Sequence, residues 1–396
     1  MIISIATGPW LPVPAVQGGA IPRLWQGIAE EFAAKGHEVR ILCRAYQGQP
    51  PTEVINGVQY IRKGGFFQST NIKLDLLKDF VYGLLVFPTL PSADILVIND
   101  FWLPVFAALR PKAGKVVINA NRFPKKQYWL YRGTTFFAVA SRAIEKAIAN
   151  EYPAALSRMR VIPNPIDTRV FFPATEVSTQ RQEKIILYVG RIHPEKGIHL
   201  LLDAFSIVSQ EISGVKLRII GPWQENQGGG GKQYLQTLYT KFVGLNIELL
   251  DPIFDVNKLA EAYREADLFC YPSLAERGES FGVAPLEAMA SGLIPVVSNL
   301  DCFRDFIDNE YTGFFFNHRS PEAVINLAKI LVSVLLNWKE NFKVRQAAIK
   351  KSMEYSYVKI AEDYLQCFEN IVLKNKKPHH KFTMYDKQYN STNTYI

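Results

Sequence analysis

The chain has 396 residues, of which 48% are hydrophobic and 21% are charged. This composition excludes a disordered chain and is typical of a soluble globular protein, while the length exceeds what one hydrophobic core organises, so two domains are expected. The net charge of +8 is uneven, because residues 1–165 hold 19 basic and 10 acidic residues and the remainder holds 26 and 27. The basic excess indicates an anionic partner for the first half, or ordinary solvated charge.

The N-terminal segment MIISIATG has no basic region and no long apolar run. It therefore predicts a buried strand and not a signal peptide. The apolar run over residues 80–90 contains Gly83 and Pro88 and is too short to cross a bilayer. The four cysteines form no close pairs, which argues against zinc or redox motifs and favours buried thiols in a cytoplasmic protein.

Short β-branched runs alternate with longer amphipathic stretches along the first half. They predict strands over residues 2–6, 38–43, 58–62, 94–99, 115–119, 135–140 and 160–163, and helices over 21–35 and 141–150. Residues 1–165 are interpreted as one domain. Residues 166–183 are interpreted as a linker, because the stretch around them combines three prolines with a polar run.

The alternation is repeated in the second half, which we interpret as a domain over residues 184–352. Strands are predicted over 184–189, 216–220, 247–250, 268–271, 294–297 and 314–316, and helices over 197–210, 256–266 and 285–291. A final helix is expected over 353–372, and the polar tail 373–396 is expected to be disordered. The pattern indicates two α/β domains, each doubly wound around a parallel sheet.

The segment YPSLAERGESFGVAPLEAMASG, residues 271–292, predicts a strand, a loop and a helix that begins near Phe281 and Gly282. Amides at such a helix start, here those of Ser280, Phe281 and Gly282, favour anions. Glu279 and Glu287 flank this start, and carboxylates accept paired hydrogen bonds from sugar hydroxyls. Capping of the helix is the alternative role for the two acids.

The segment ILYVGRIHPEKGIHLLLDAF, residues 186–205, places Arg191 and Lys196 beyond a predicted strand, where α/β folds bind ligands. These cations are suited to a diphosphate leaving group, although they could also be solvated loop charges. After the first strand, Gly18 and Gly19 open a turn before a helix. Their amides can approach a phosphate closely, or the pair can serve only as a turn.

In this order, the motifs resemble glycosyltransferase family 4, whose members are retaining enzymes of the GT-B fold. The resemblance extends to about residue 372 and rests on the segments AEEFAAKGHEVRIL, VIPNPID, VGRIHPEKG, LAEAYREADLFCYPS and ESFGVAPLEAMASG. It implies two Rossmann-like domains facing each other across a cleft. It also implies that the final helix returns to the first domain.

The resemblance implies a nucleotide-diphosphate-sugar donor, and it implies that neither a metal nor a cofactor is needed. Glu279 would contact the sugar and Glu287 the ribose, while Ile253 and Phe254 would face the base. The residues that would bind the diphosphate are Arg191, Lys196 and the amides of Gly18, Gly19, Ser280, Phe281 and Gly282.

Two positions depart from the family pattern. Where many relatives carry a histidine after a first-domain strand, this chain has KVVINANRF, with Asn119 or Asn121 near that place. Asp305 in NLDCFRDFID stands where a glutamate is usual. Basic residues accompany aromatic ones nearby, so the acceptor-side candidates are Asn121, Arg122, Lys125, Lys126 and Tyr128.

These features together predict a retaining, metal-independent glycosyltransferase of polysaccharide, lipopolysaccharide or glycolipid synthesis. We expect the acceptor to be a hydroxyl group, for example on a glycan linked to a lipid phosphate. We also expect the protein to contact an anionic membrane peripherally. Nucleic acid is not expected as a partner. The alternatives are a nucleotide-sugar epimerase, a phosphorylase, or a relative that binds nucleotide sugars or glycans without catalysis.

Overall fold

The first half of the chain folds around an eight-stranded sheet in the computed structural model, which describes residues 1–69, 71–174 and 183–373. Its strands are β1 (Ile2–Ala6), β2 (Glu38–Arg44), β3 (Thr52–Ile55), β4 (Val58–Lys63), β5 (Ile95–Ile98), β6 (Lys115–Ala120), β7 (Phe136–Val139) and β8 (Met159–Val161). They lie in the order β3-β4-β2-β1-β5-β6-β7-β8, and only β3 runs antiparallel to its neighbour. The helices are α1 (Ala20–Ala34), α2 (Ile72–Val86), α3 (Leu103–Ala107) and α4 (Arg142–Glu151).

The second half folds around a parallel sheet of six strands. These are β9 (Lys184–Val189), β10 (Val215–Ile220), β11 (Ile247–Leu250), β12 (Leu268–Tyr271), β13 (Pro295–Ser298) and β14 (Phe314–Phe316), in the order β11-β10-β9-β12-β13-β14. The helices are α5 (Ile198–Glu211), α6 (Gly231–Phe242), α7 (Val256–Arg264), α8 (Val283–Ala290), α9 (Ala323–Leu336), α10 (Trp338–Ser352) and α11 (Tyr357–Leu373). The α/β fold with two parallel-sheet domains is confirmed.

The last helix, α11, packs on α1 of the first half. The Trp25 and Tyr364 rings are 5.3 Å apart between centroids, and Phe32 packs edge-on against Phe368. Gly27 permits this close approach, because a Cβ there would lie 2.4 Å from a ring carbon of Tyr357. The C-terminal helix thereby contributes apolar side chains to the core of the first domain.

The chain crosses between the two halves twice, and the crossings lie side by side. The Ile166 amide donates to the Tyr355 carbonyl at 2.8 Å, and Ile166 forms an isolated parallel bridge with Ser356. Phe171 is buried in the second core against Tyr263, so the first part of the expected linker is packed structure. The predicted tail, from residue 374 onward, lies outside the described residues.

Several elements differ from the sequence prediction. Helices α2, α3, α6, α9 and α10 and strand β3 were not expected from the sequence pattern, and α8 begins at Val283, between the starts predicted near Gly282 and at residue 285. Asn71 starts α2 by accepting hydrogen bonds from the amides of Lys73 and Leu74. Among the helices of the described ranges, none is long and apolar enough to cross a membrane. The four cysteines are buried and unpaired with one another.

Candidate active site

The polar residues predicted in the second half meet where the strand order reverses. Strand β9 is flanked by β10 and β12, so the loops after β9 and β12 leave the sheet next to each other. Arg191 and Lys196 follow β9, and Glu279 follows β12. Ligands of open α/β sheets bind at this kind of crevice, beyond the carboxyl ends of the strands.

A buried ion pair joins the two loops. The Lys196 Nζ atom lies 2.6 Å from the Glu279 Oε2 atom, and only 4% of Lys196 and 9% of Glu279 is exposed. The ammonium also lies 5.6 Å from the centroid of the Tyr271 ring. Gly197 allows the loops to come so close, because it has φ +68° and a Cβ would lie 2.1 Å from the Pro272 carbonyl oxygen.

Arg191 is more exposed than Lys196 but is also fixed in orientation. Its Nη1 donates to the Gly228 carbonyl at 2.8 Å, and its Nη2 is 2.7 Å from the Glu195 Oε1 atom. The side chain remains 41% exposed, so part of the guanidinium faces the solvent. The sequence analysis missed Glu195 and Gly228, although Glu195 stands four residues after Arg191 in the same motif.

The start of α8 is a glycine turn that packs on buried aromatic rings. Gly282 is left-handed, with φ +82°, and a Cβ there would lie 2.4 Å from the Phe303 ring. The Phe281 ring is fully buried, with its centroid 5.1 Å from that of Phe306. Among the predicted donor residues, Phe281 and Gly282 can therefore offer only their backbone, whereas the Ser280 side chain is partly exposed.

Glu287 lies in the second turn of α8 and is held by a tyrosine of α7. The Tyr263 hydroxyl donates to its Oε2 atom at 3.0 Å. Burial raises the pKa of the Glu287 carboxyl, and the positive charge of Arg23 acts in the opposite direction. The hydrogen bond shows that Glu287 is positioned by a buried partner and does not simply cap its helix. Tyr263 was another residue that the sequence analysis missed.

The glycine turn of the first half faces the predicted base-binding segment of the second. A Cβ on Gly18 would lie 3.4 Å from the Phe254 ring, and the Arg23 Nη2 atom donates to the Phe254 carbonyl at 3.2 Å. The Gly18 amide donates to the Ala15 carbonyl. Contrary to the prediction, it is therefore not available to a phosphate. Gly19, with φ +98°, precedes the first turn of α1.

Ile253 and Phe254 differ in exposure. Ile253 packs partly buried against the second core, and Phe254 is 60% exposed at the cleft. The exposed ring has a flat apolar surface of the kind on which a nucleobase stacks. Arg23 donates to the Phe254 carbonyl. Unlike Gly18 and Phe254, it was not predicted from the sequence.

The acceptor-side candidates fall into two groups. The Asn119 amide donates to the Tyr364 hydroxyl at 2.8 Å, and Asn121 donates to Asn119. The Asn121 Oδ1 atom is buried and has no hydrogen-bond partner in the described residues. Tyr128 is 3% exposed and packs on Tyr131, so the prediction that it faces an acceptor is wrong.

The basic residues of that loop point outward. Arg122, Lys125 and Lys126 are exposed, and the Glu151 carboxylate accepts hydrogen bonds from the amides of Lys126 and Tyr128. This carboxylate fixes the loop through its backbone and leaves the Lys126 side chain available. The three cations are thus placed on the surface of the first domain.

Asp305 links the two domains. Its Oδ2 atom accepts a hydrogen bond from the Arg142 amide at 2.8 Å, at the start of α4, and its Oδ1 atom lies 3.6 Å from the Arg142 guanidinium. Burial raises the pKa of this carboxyl. Asp305 of the second domain is therefore engaged with the first domain.

The sequence matches two known protein families. The family described as "Glycosyltransferase Family 4" matches residues 21–170, and "Glycosyl transferases group 1" matches residues 175–351. The chain belongs to glycosyltransferase family 4. The matches cover both halves and include every one of the second-half site residues described above.

Among curated relatives of this family 4 member, the phosphatidyl-myo-inositol mannosyltransferase of Mycobacterium tuberculosis is 31% identical over 218 residues. The match covers 53% of this chain and 53% of the relative, so the chain spans about half the length of the first curated relatives it matches. Sucrose-phosphate synthase from Thermosynechococcus elongatus superposes with a TM-score of 0.75 at 18% identity, covering 94% of this chain and all of that one. Anabaena HepE, solved with UDP-glucose, gives 0.71 at 18% identity, with 93% and 100% covered. These structures show the GT-B fold.

Proposed function

We propose that the protein is a retaining glycosyltransferase that moves a sugar from a nucleotide-diphosphate donor to a hydroxyl acceptor. The observation that carries the proposal is the buried pair of Lys196 and Glu279, next to Arg191, at the reversal point of the second sheet. A buried ion pair is costly to build for stability alone. Its position at the ligand-binding edge supports a role in recognising charge and hydroxyl groups.

In this proposal each donor group has its own residues. Arg191 and Lys196 bind the diphosphate, together with backbone amides at Gly19 and at residues 280–282. Glu279 accepts hydrogen bonds from the sugar and Glu287 from the ribose, while Ile253 and Phe254 face the base. The UDP-glucose in the structure of Anabaena HepE supports a nucleotide sugar as the class of donor.

The chemistry that these residues can perform is electrostatic. Negative charge develops on the departing diphosphate, and preorganised cations and amides stabilise it where it forms. The acceptor hydroxyl would attack on the face from which the diphosphate leaves, with a phosphate oxygen receiving its proton. This front-face route retains the configuration of the sugar, and we propose that it needs no metal ion or further cofactor.

We further propose that the acceptor enters from the first domain. The buried Asn121 Oδ1 atom is free to accept a hydrogen bond from an acceptor hydroxyl. The basic excess of this half and the exposed Arg122, Lys125 and Lys126 favour an acceptor linked to a lipid phosphate. The mannosyltransferase relative has a phosphatidyl-inositol in its name, which supports a glycolipid or polysaccharide product and a peripheral place on the cytoplasmic membrane face.

The test is turnover of UDP-, GDP- and ADP-sugars by the purified protein, followed by product anomer analysis. Arg191→Ala should lower turnover about a hundredfold, since one charge-assisted contact to a transition state contributes roughly 3 kcal/mol. Arg160→Ala is the matched control, because Arg160 is also half-exposed and ion-paired, with Asp363 at 3.3 Å. Conversion of the donor without acceptor would indicate an epimerase, and donor binding without turnover would indicate a non-catalytic relative.

A further inference from the structure

An apolar stripe covers the outward side of α2 in the first domain. Five large side chains on it are between 38% and 58% exposed: Leu74, Leu77, Val81, Leu84 and Leu85. Their spacing of three and four residues places them on one face of the helix. We name these five residues the α2 apolar face. Phe67 and Ile72, at its N-terminal end, are 73% and 58% exposed.

The opposite side of α2 already supplies the core. Tyr82 and Val86 are buried in an apolar cluster with Leu42, Leu96 and Leu103. The α2 apolar face therefore has no role in holding the helix to the sheet. A continuous exposed apolar surface of this kind usually marks a place where another surface binds.

The charges around the face are arranged with one sign outward. Asp75 accepts hydrogen bonds from Ser69, and Asp79 is buried, accepting from the amides of residues 101 and 102. Lys78 donates to the Phe67 carbonyl and lies 3.8 Å from the Asp75 carboxylate, whereas Lys73 is exposed at the start of the helix. The acids of α2 thus turn inward or are engaged, whereas a basic residue remains beside the exposed leucines. An anionic surface would complement this arrangement.

We propose that the α2 apolar face docks the protein on an anionic lipid bilayer, with the helix lying in the plane of the interface. This inference deepens the proposed function and rests on it, because it specifies the surface through which a lipid-linked acceptor is reached. Amphipathic helices bind interfaces in this way, with apolar side chains below the headgroups and basic ones among them.

A second copy of the chain is a poorer occupant of the face. Helix α2 has 15 residues, so it is about 22 Å long, and a stripe about 10 Å wide covers on the order of 200 Å². A stable dimer buries about 800 Å² on each partner. A bilayer needs no matching surface of that size, and an anionic one complements both the leucines and Lys73.

The position of the helix connects the face to the cleft. The Tyr82 hydroxyl donates to the Thr7 carbonyl, which follows the last residue of β1. Asp79 and the Leu76 carbonyl accept hydrogen bonds from residues 101 and 102, so the N-terminal half of α2 lies beside the loop that leaves the carboxyl edge of the first sheet after β5. A lipid-linked hydroxyl could pass from the bilayer to the site without leaving the interface.

The test uses sedimentation of the full chain with vesicles of phosphatidylcholine, alone or with roughly a third of phosphatidylglycerol. The wild type should bind the anionic vesicles. Leu77→Glu with Leu84→Glu should lower the bound-to-free ratio at least about tenfold, since two apolar contacts become repelled charges. Val243→Glu with Ile325→Glu is the matched control, because these residues of the second domain are also exposed and the change in charge is equal.

Three outcomes would overturn the proposal: no wild-type binding to either vesicle, wild-type binding by the Leu77 and Leu84 variant, or a wild-type dimer that this variant dissociates. Uridine, guanosine and adenosine diphosphates are titrated in parallel by calorimetry. The variant should bind them as the wild type does. Vesicle binding without any nucleotide binding would refute the proposed function and leave the docking surface standing.

Discussion

The two domains hold their buried carboxylates in different ways. In the second domain Glu279 is paired with the ammonium of Lys196, and Glu287 accepts a hydrogen bond from Tyr263. In the first domain Asp79 and Asp100 accept hydrogen bonds from backbone amides near the start of α3. Glu279 thus faces a cationic side chain, whereas the two acids of the first domain accept from neutral backbone amides and burial raises the pKa of both.

The largest expected effect follows from breaking the ion pair. Glu279→Ala leaves Lys196 buried without its partner and should lower the free energy of unfolding by about 3–5 kcal/mol. Glu279→Gln keeps an acceptor for the ammonium and should lose less than half as much. Urea denaturation measures both variants.

The control for this effect is Glu276→Ala. Glu276 is 48% exposed and pairs with the exposed Arg319, so its loss should cost less than about 1 kcal/mol. Equal stability of Glu279→Ala and the wild type would show that the pair does not require both partners. The fold of the second domain would then not depend on the pairing of Glu279 with Lys196.

The second effect concerns Asp79, whose pKa is raised to about 6 by burial. The folded chain then retains a proton that the unfolded chain has released, so stability should fall as the pH rises from about 4 to about 6 and stay lower above it. The loss is on the order of 2–3 kcal/mol. Asp79→Asn preserves an acceptor for the two amides and should flatten this pH dependence.

Unfolding curves at a series of pH values, with Asp363→Asn as an exposed control, measure the difference. Asp100 lies close to Asp79, and the negative charge of Asp79 raises its pKa further, so the variant also makes Asp100 easier to ionise. A variant that loses stability with pH just as the wild type does would show that Asp79 is not the source of this pH dependence.

The smallest effect tests how Glu287 is positioned. Tyr263→Phe removes the hydroxyl that donates to this carboxylate and should cost about 1 kcal/mol of stability. In the proposed function it should also weaken nucleoside diphosphate binding roughly fivefold to tenfold, because a misplaced acceptor holds the ribose less well.

Two controls separate binding from stability. A nucleotide that lacks both ribose hydroxyls should bind the wild type and Tyr263→Phe equally. Tyr234→Phe, which removes a contact of 3.3 Å to His199, should leave nucleotide affinity unchanged. Lower stability of Tyr263→Phe with unaltered affinity for the intact nucleotide would limit Tyr263 to a structural role.

The sequence predicted the sheets well because parallel strands are apolar on both faces and stand out as short β-branched runs. It missed α2 because that helix carries leucines on its exposed side, while Tyr82 and Val86 are buried on the other, which removes the polar face that marks an ordinary surface helix.

The site was predicted in part, and the missing part has one cause. Motifs place Arg191, Lys196, Glu279 and Glu287 on the correct loops, but nothing local indicates which residues touch. Lys196 and Glu279 are 83 positions apart, and they meet because Gly197 lets one loop contact the other. The burial of Tyr128 was equally hard to predict, since Lys125 and Lys126 shortly before it are exposed and basic.

The paired crossings near Ile166 and Ser356 have a mechanical consequence. Because two adjacent strands of backbone connect the domains and are bonded to each other, they act as one hinge. Rotation of the domains about this axis can then open the cleft. Moving the domains straight apart would break the hydrogen bond between the Ile166 amide and the Tyr355 carbonyl. Arg23, whose carbonyl accepts from the Tyr357 hydroxyl next to the crossing, would move little, and residues farther from the axis would travel the greatest distance.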